Sequence, residues 1–162
     1  MHDAVQKFIK GVRAKFPDKF RGKEILEFGS MNINGSPREF FTDCEYIGVD
    51  WRKGKDVDII CSTHEFKTNK QYDVIVSTEM LEHDVDFKKS IWTMLGLLKK
   101  DGLIIITCAG RDRKSHELEC GKKRYYENLK KDDLVNDVYM SQLKEFYFRD
   151  KGLDLQFWGI RE

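Results

Sequence analysis

The chain has 162 residues, enough for one domain with a substantial core and too few for two comfortable ones. Its 29 basic and 28 acidic side chains nearly cancel, so no global field draws it to nucleic acid or an anionic membrane, and a small-molecule partner fits that balance. No apolar run approaches the roughly 20 residues of a membrane span, and the charged opening MHDAVQKFIKGVRAKF lacks the apolar block of a signal peptide, so a cytoplasmic location is expected.

In chain order, Val5, Phe8, Ile9, Val12 and Phe16 recur at spacings of three and four, the stripe of an amphipathic helix stopped by Pro17. The apolar run 24–28 reads as a first strand, followed by a loop holding Gly29, Ser30, Asn34 and Gly35. Ser36-Pro37 is a good helix start, with Ser as N-cap and Pro at the first helical position, for a short helix over 37–41. A second strand, 46–49, stops at Asp50. An acid about 20 residues past a glycine that follows a strand is what a Rossmann-type half uses to hold a ribose. The glycines alone are a weak signal, because any βαβ unit needs them at its turn. Glu27 sharpens it: a carboxylate there repels a pyrophosphate and suits a cofactor carrying an ammonium group. Trp51 is placed to cover an adenine face or, more plainly, to pack under a loop.

A third strand is expected over 57–61, delivering Ser62, Thr63 and His64 to the same carboxyl edge as Asp50. The run 72–77 has the adjacent β-branched residues of a central strand buried on both faces, and Thr78, Glu79, Glu82 and His83 follow it. A helix over 84–100 buries Phe87, Ile91, Leu95 and Leu98, with Gly102 as its cap, before a fifth strand over 103–108. Residues 109–124 read as a polar, basic surface loop, 125–139 as a helix, and 144–149 with 153–160 as a closing hairpin. Cys44, Cys61, Cys108 and Cys120 show no CxxC spacing, so reduced structural thiols are expected, without zinc or disulfides.

The stretches ILEFGS, YIGVDW, YDVIVSTEMLEH and KKDGLIIIT, in this element order and covering nearly the whole chain, resemble the class I S-adenosylmethionine-dependent methyltransferases of the small-molecule type. The resemblance implies an α/β, Rossmann-like three-layer sandwich with a seven-stranded, mostly parallel sheet of order 3-2-1-4-5-7-6, strand 7 antiparallel. It implies one methyltransferase domain over 1–162, with an N-terminal helix in 1–20 and a C-terminal hairpin in 144–160, and S-adenosyl-L-methionine as cofactor. Carried over residue by residue, Glu27 and Gly29 lie by the methionine part of the cofactor, with Ser30, Asn34 and Gly35 in the cofactor loop. Asp50 holds the ribose hydroxyls, Trp51, Ser62, Thr63 and His64 border the adenine, and Ser77, Thr78 and Glu79 line the floor where cofactor meets substrate. Two departures stand out: the loop reads EFGSMNING, with Gly35 six residues after Gly29, and Ser62 stands where the family often has an acid.

Methyl transfer from a sulfonium requires a nucleophile held in line and water kept out, which needs no metal. A hydroxyl acceptor also needs a base, for which His83 and His116 are the candidates, with Glu79 or Glu82 as an orienting carboxylate. A histidine after strand four can equally cap the next helix. The EMLEH motif resembles those of small-molecule enzymes, and the Asp/Asn/Ser-Pro-Pro-Tyr/Phe motif of amino-methylating DNA enzymes is missing. The expected acceptor is therefore a hydroxyl of a sugar or other metabolite, on a protein that is a monomer or homodimer. The rivals are a non-catalytic S-adenosylmethionine-binding module and an NAD-binding oxidoreductase.

Overall fold

The computed structural model describes residues 1–115 and 125–162, together with the backbone of 118–119 and 122–123. His116 and Cys120 lie outside the described residues. The main sheet contains β1 (Glu24–Phe28), β2 (Glu45–Asp50), β3 (Ile59–Ile60), β4 (Tyr72–Thr78), β5 (Leu98–Ala109), β6 (Leu143–Asp150) and β7 (Asp154–Arg161). Their spatial order is 3-2-1-4-5-7-6. The first five strands run parallel, and β7 is antiparallel to both β5 and β6. This is the expected Rossmann-like topology.

Alternation along the central strands divides the core in two. Ile25, Val74, Val76, Leu103 and Ile105 face α1 (Asp3–Lys15), whose buried side chains are Val5, Ile9 and Val12. Leu26, Phe28, Ile75, Ile104 and Ile106 face the other way, packing with Phe87, Ile91, Met94 and Leu95 of α2 (Phe87–Leu97). Both faces of β4 and β5 are therefore dry, which is why these strands read as continuous apolar runs rather than alternating ones.

Several elements differ from the sequence expectation. The helix expected over 37–41 is a single 3-10 turn, Pro37–Phe40, although Ser36 caps it as anticipated by accepting from the Arg38 amide. The third strand shrinks to two residues. The helix expected over 84–100 opens with a separate 3-10 turn, Leu81–His83, and α2 itself stops at Leu97, so Leu98 is already the first residue of β5. Gly102 is therefore not a helix cap. It serves a bend inside β5 that starts at Asp101 with φ 62°, where a Cβ on Gly102 would sit 2.7 Å from the Lys99 carbonyl oxygen.

Residues 125–139 do not form one helix either. The Glu127 amide donates to the Glu82 carbonyl and the Leu129 amide to that of Ala109, committing this stretch to the sheet's edge. Only two single turns follow, α3 (Lys131–Leu134) and α4 (Asp137–Met140), the latter capped by Asn136. Cys44, Cys61 and Cys108 are free thiols. Among the described residues no helix is long and apolar enough to cross a membrane.

Candidate active site

A cleft of about 920 Å³ opens at the carboxyl edge of the parallel strands. Its first wall is built by register. Glu27 pairs with Gly48, so Glu27, Tyr46 and Asp50 project from the same face of the sheet, with Asp50 one pleat beyond Glu27. Gly48 has no room for a side chain: a Cβ would lie 2.3 Å from the Asp56 carbonyl oxygen and 2.7 Å from Ser30 Oγ. That close packing folds the loop after β1 against the end of β2. Gly29 carries φ +79°, and a Cβ there would meet Met80 Cβ at 2.6 Å. Asn32 then shapes the loop, its Oδ1 accepting from the Gly35 amide at 2.9 Å while its Nδ2 donates to Asp56 at 2.6 Å.

Asp50 accepts from the Arg52 amide at 2.9 Å and the Met31 amide at 3.3 Å, which fixes its carboxylate at the mouth of β2. Glu27 is 1% exposed and accepts from the Tyr46 hydroxyl at 2.9 Å. Burial lifts its pKa to about 8, against the pull of the Tyr46 hydrogen bond and the Arg38 charge. Trp51 is 52% exposed beside the cleft, with the Arg52 guanidinium 4.8 Å from its ring centroid.

The opposite wall is formed where β4 ends. Glu79 has φ 55°, an uncommon left-handed conformation for a side-chain-bearing residue. The strain is held by a dense set of bonds: its amide donates to the Thr107 carbonyl at 2.8 Å, and its carboxylate accepts from the Thr107 hydroxyl at 3.0 Å. Arg113 reaches the Glu79 carboxylate at 3.0 Å and also pairs with Asp154, and His2 Nε2 lies 3.3 Å from Glu79. Burial opposes ionisation of Glu79, but His2, Arg113 and Thr107 together hold its pKa below the usual range. Behind it sits Glu82, 1% exposed, with neither carboxylate oxygen hydrogen-bonded among the described residues. Burial, and then the Glu79 charge, raise its pKa to about 8.

Of the residues expected at the site, Glu27, Gly29, Ser30, Asn34, Gly35, Asp50, Trp51, Ser62, Thr63, Thr78, Glu79 and His83 all line this one cleft. Two do not. His64 turns toward α2, its Nε2 3.7 Å from Asp86, because the 3-10 turn Thr63–Glu65 aims it away from the sheet edge. Ser77 is wholly buried inside β4, one residue short of the edge. His2, Arg113 and Tyr125, by contrast, reach the cleft without having been picked out as site residues. No periodicity marks such positions, since only the tertiary fold brings the N-terminus and the segment after β5 to β4. Tyr46 did carry a signal, lying two residues before Gly48 on the face that Glu27 shares.

The sequence profile of a family described as a methyltransferase domain matches residues 1–144. The chain belongs to that family. It is a class I S-adenosylmethionine-dependent methyltransferase, and several solved structures share its fold. Burkholderia thailandensis 1,6-didemethyltoxoflavin-N1-methyltransferase, solved with 1,6-didemethyltoxoflavin and S-adenosylhomocysteine, aligns with TM-score 0.68 at 14% identity, over 98% of this chain and 78% of its own. The N-methyltransferase NodS of Bradyrhizobium japonicum WM9, in complex with S-adenosylhomocysteine, aligns with TM-score 0.62 at 14% identity, over 96% and 86%. A methyltransferase from Clostridium acetobutylicum ATCC 824 aligns with TM-score 0.68 at 11% identity, over 97% and 92%. A search of curated protein sequences found no match. The cofactor of this methyltransferase is S-adenosyl-L-methionine, and the cleft suits it: a carboxylate at the end of β2, a second acid on β1, and a glycine-bearing loop between them.

Proposed function

We propose that this methyltransferase passes the methyl group of S-adenosylmethionine to a hydroxyl of a small molecule, a sugar or other metabolite, bound at the Glu79–His83 end of the cleft. Asp50 would take the ribose hydroxyls, its orientation already set by the Met31 and Arg52 amides. Trp51, Ser62 and Thr63 would border the base. Glu27 would receive the cofactor's ammonium group, and that charge would draw the proton from its carboxyl. The bound cofactor supplies a methyl group already activated by its sulfonium, so the protein's remaining work is to position the acceptor and manage one proton.

The observation that supports a base is the placement of His83. Its Nδ1 lies 3.3 Å from the Tyr125 carbonyl oxygen, and its ring lies edge-on to Tyr126 at 5.2 Å. A carbonyl can only accept, so in the tautomer that satisfies this contact Nδ1 would donate and Nε2 would be the accepting nitrogen. Glu79 is the poorer base, because its contacts with Arg113, His2 and Thr107 hold it ionised. It would serve instead to orient the acceptor end through Arg113 and His2. In this reading His83 is the base and Glu79 the orienting carboxylate.

The test is a screen of small hydroxyl compounds with methyl-labelled cofactor, run on the natural protein and on His83→Asn. Turnover falling by about 10²–10⁴-fold in the variant, with cofactor affinity unchanged, is the expected result. A variant that turns over as fast as the natural protein would rule out His83 as base.

A further inference from the structure

The outer strand β6, LKEFYFRD, is the last strand of the sheet, and among the described residues no strand pairs with its outer edge. Six of its eight residues are exposed, Phe146 and Tyr147 among them at 43% and 36%. An open edge of this length is a template for another strand. Its aromatic rings are held in fixed positions rather than left mobile: Tyr147 stacks on Trp158 at 6.0 Å between ring centroids, and Phe146 on Phe157 at 6.3 Å.

Geometry restricts how two copies of such an edge can join. Outward-facing backbone groups and side-chain directions both alternate along a strand, so two identical antiparallel edges match only when the two-fold axis passes through a residue. Centred on Tyr147, the register sets Lys144 opposite Asp150 of the second copy, Glu145 opposite Arg149, Phe146 opposite Phe148, and Tyr147 opposite itself. Every charge meets its opposite, and every ring meets a ring. Centred on Phe146, the register sets Lys144 against Phe148 and Glu145 against Tyr147. Centred on Phe148, it sets Phe146 against Asp150 and Tyr147 against Arg149. Within its own chain Arg149 has no ion-pair partner among the described residues, while Glu145 pairs only with Lys15, at 3.1 Å on the surface.

We propose that β6 pairs antiparallel with β6 of a second copy of this chain, centred on Tyr147, so that two seven-stranded sheets become one continuous sheet. The two-fold axis reverses strand direction between copies, so the two cofactor clefts open at opposite edges of the joined sheet. Neither copy completes the other's cleft, and the interface is independent of the methyl-transfer chemistry.

Sedimentation velocity from low micromolar to several hundred micromolar protein tests this directly. The natural chain is expected to be a dimer. Arg149→Glu sets glutamate against Glu145 and is expected to weaken the dimer by at least about 10-fold, because juxtaposed like charges are strongly unfavourable. The double change Glu145→Arg with Arg149→Glu exchanges the partners and is expected to restore it. Circular dichroism and cofactor titration, unchanged in all three proteins, control for folding. The proposal is overturned by a natural chain that stays monomeric throughout, where the charges merely guard the edge. A dimer indifferent to Arg149→Glu, or a folded double variant that remains monomeric, overturns it equally.

Discussion

Glu82 carries the sharpest consequence of burial, an acid 1% exposed behind the ionised Glu79. In the folded protein its pKa is raised from 4.5 to about 8. Its proton is thus bound more tightly in the folded chain than in the unfolded one. The stability it contributes is present in full below about pH 4.5 and is lost as pH rises through about 8. Glu27 acts in the same direction over the same window. Urea unfolding at about pH 5 and about pH 9 is expected to show the natural protein losing stability as pH rises, and Glu82→Gln losing distinctly less. Parallel pH profiles for the two proteins would contradict the buried neutral acid. Arg113 is the complementary case, since it neutralises Glu79 and the nearly buried Asp154 together. Arg113→Ala leaves the Asp154 carboxylate with the His2 ring, 3.5 Å away, as a neighbour but without its guanidinium partner. A loss of roughly 2–3 kcal/mol in chemical denaturation is expected, and a loss within error of zero would show the pair to be solvent-screened.

Among the elements, the loop after β1 depends most on one residue. Gly29→Ala forces an L-residue into φ +79° and drives its Cβ against Met80. A destabilisation of roughly 2–5 kcal/mol in thermal or urea unfolding is expected, together with weakened cofactor binding. The central strands were legible in the sequence because burial on both faces leaves unbroken apolar runs, and the glycine of this loop because positive φ selects glycine, whereas the strand order came from the family resemblance. The boundary between α2 and β5 was not legible. Leu98 satisfies the helical stripe and the strand core equally well, and the turn through Asp101 and Gly102 mimics a helix cap. The segment before Tyr139 was misread for a different reason: its backbone amides bond to Glu82 and Ala109, and nothing in local spacing announces a partner so distant in the chain. His64 was misplaced by the same kind of limit, since a strand three of only two residues ends the parity argument early.

For the molecule as a whole, the chain is a trimmed version of its fold. One 3-10 turn stands between β1 and β2, and no helix lies between β2 and β3. Among the described residues each face of the sheet carries a single long helix, α1 on one side and α2 on the other. What remains complete is the line from Glu27 through Asp50 to Trp51 along one rim of the cleft, and the proposed function gives this rim to the cofactor. Calorimetric titration of the natural protein and of Asp50→Ala with S-adenosylmethionine and S-adenosylhomocysteine, with a nicotinamide dinucleotide as control, tests it most directly. Micromolar binding of both sulfur nucleosides is expected, weakened by about 10- to 100-fold in Asp50→Ala, with none of the dinucleotide. Undiminished affinity in Asp50→Ala, or no binding of either sulfur nucleoside to the natural protein, would contradict this reading of the cleft.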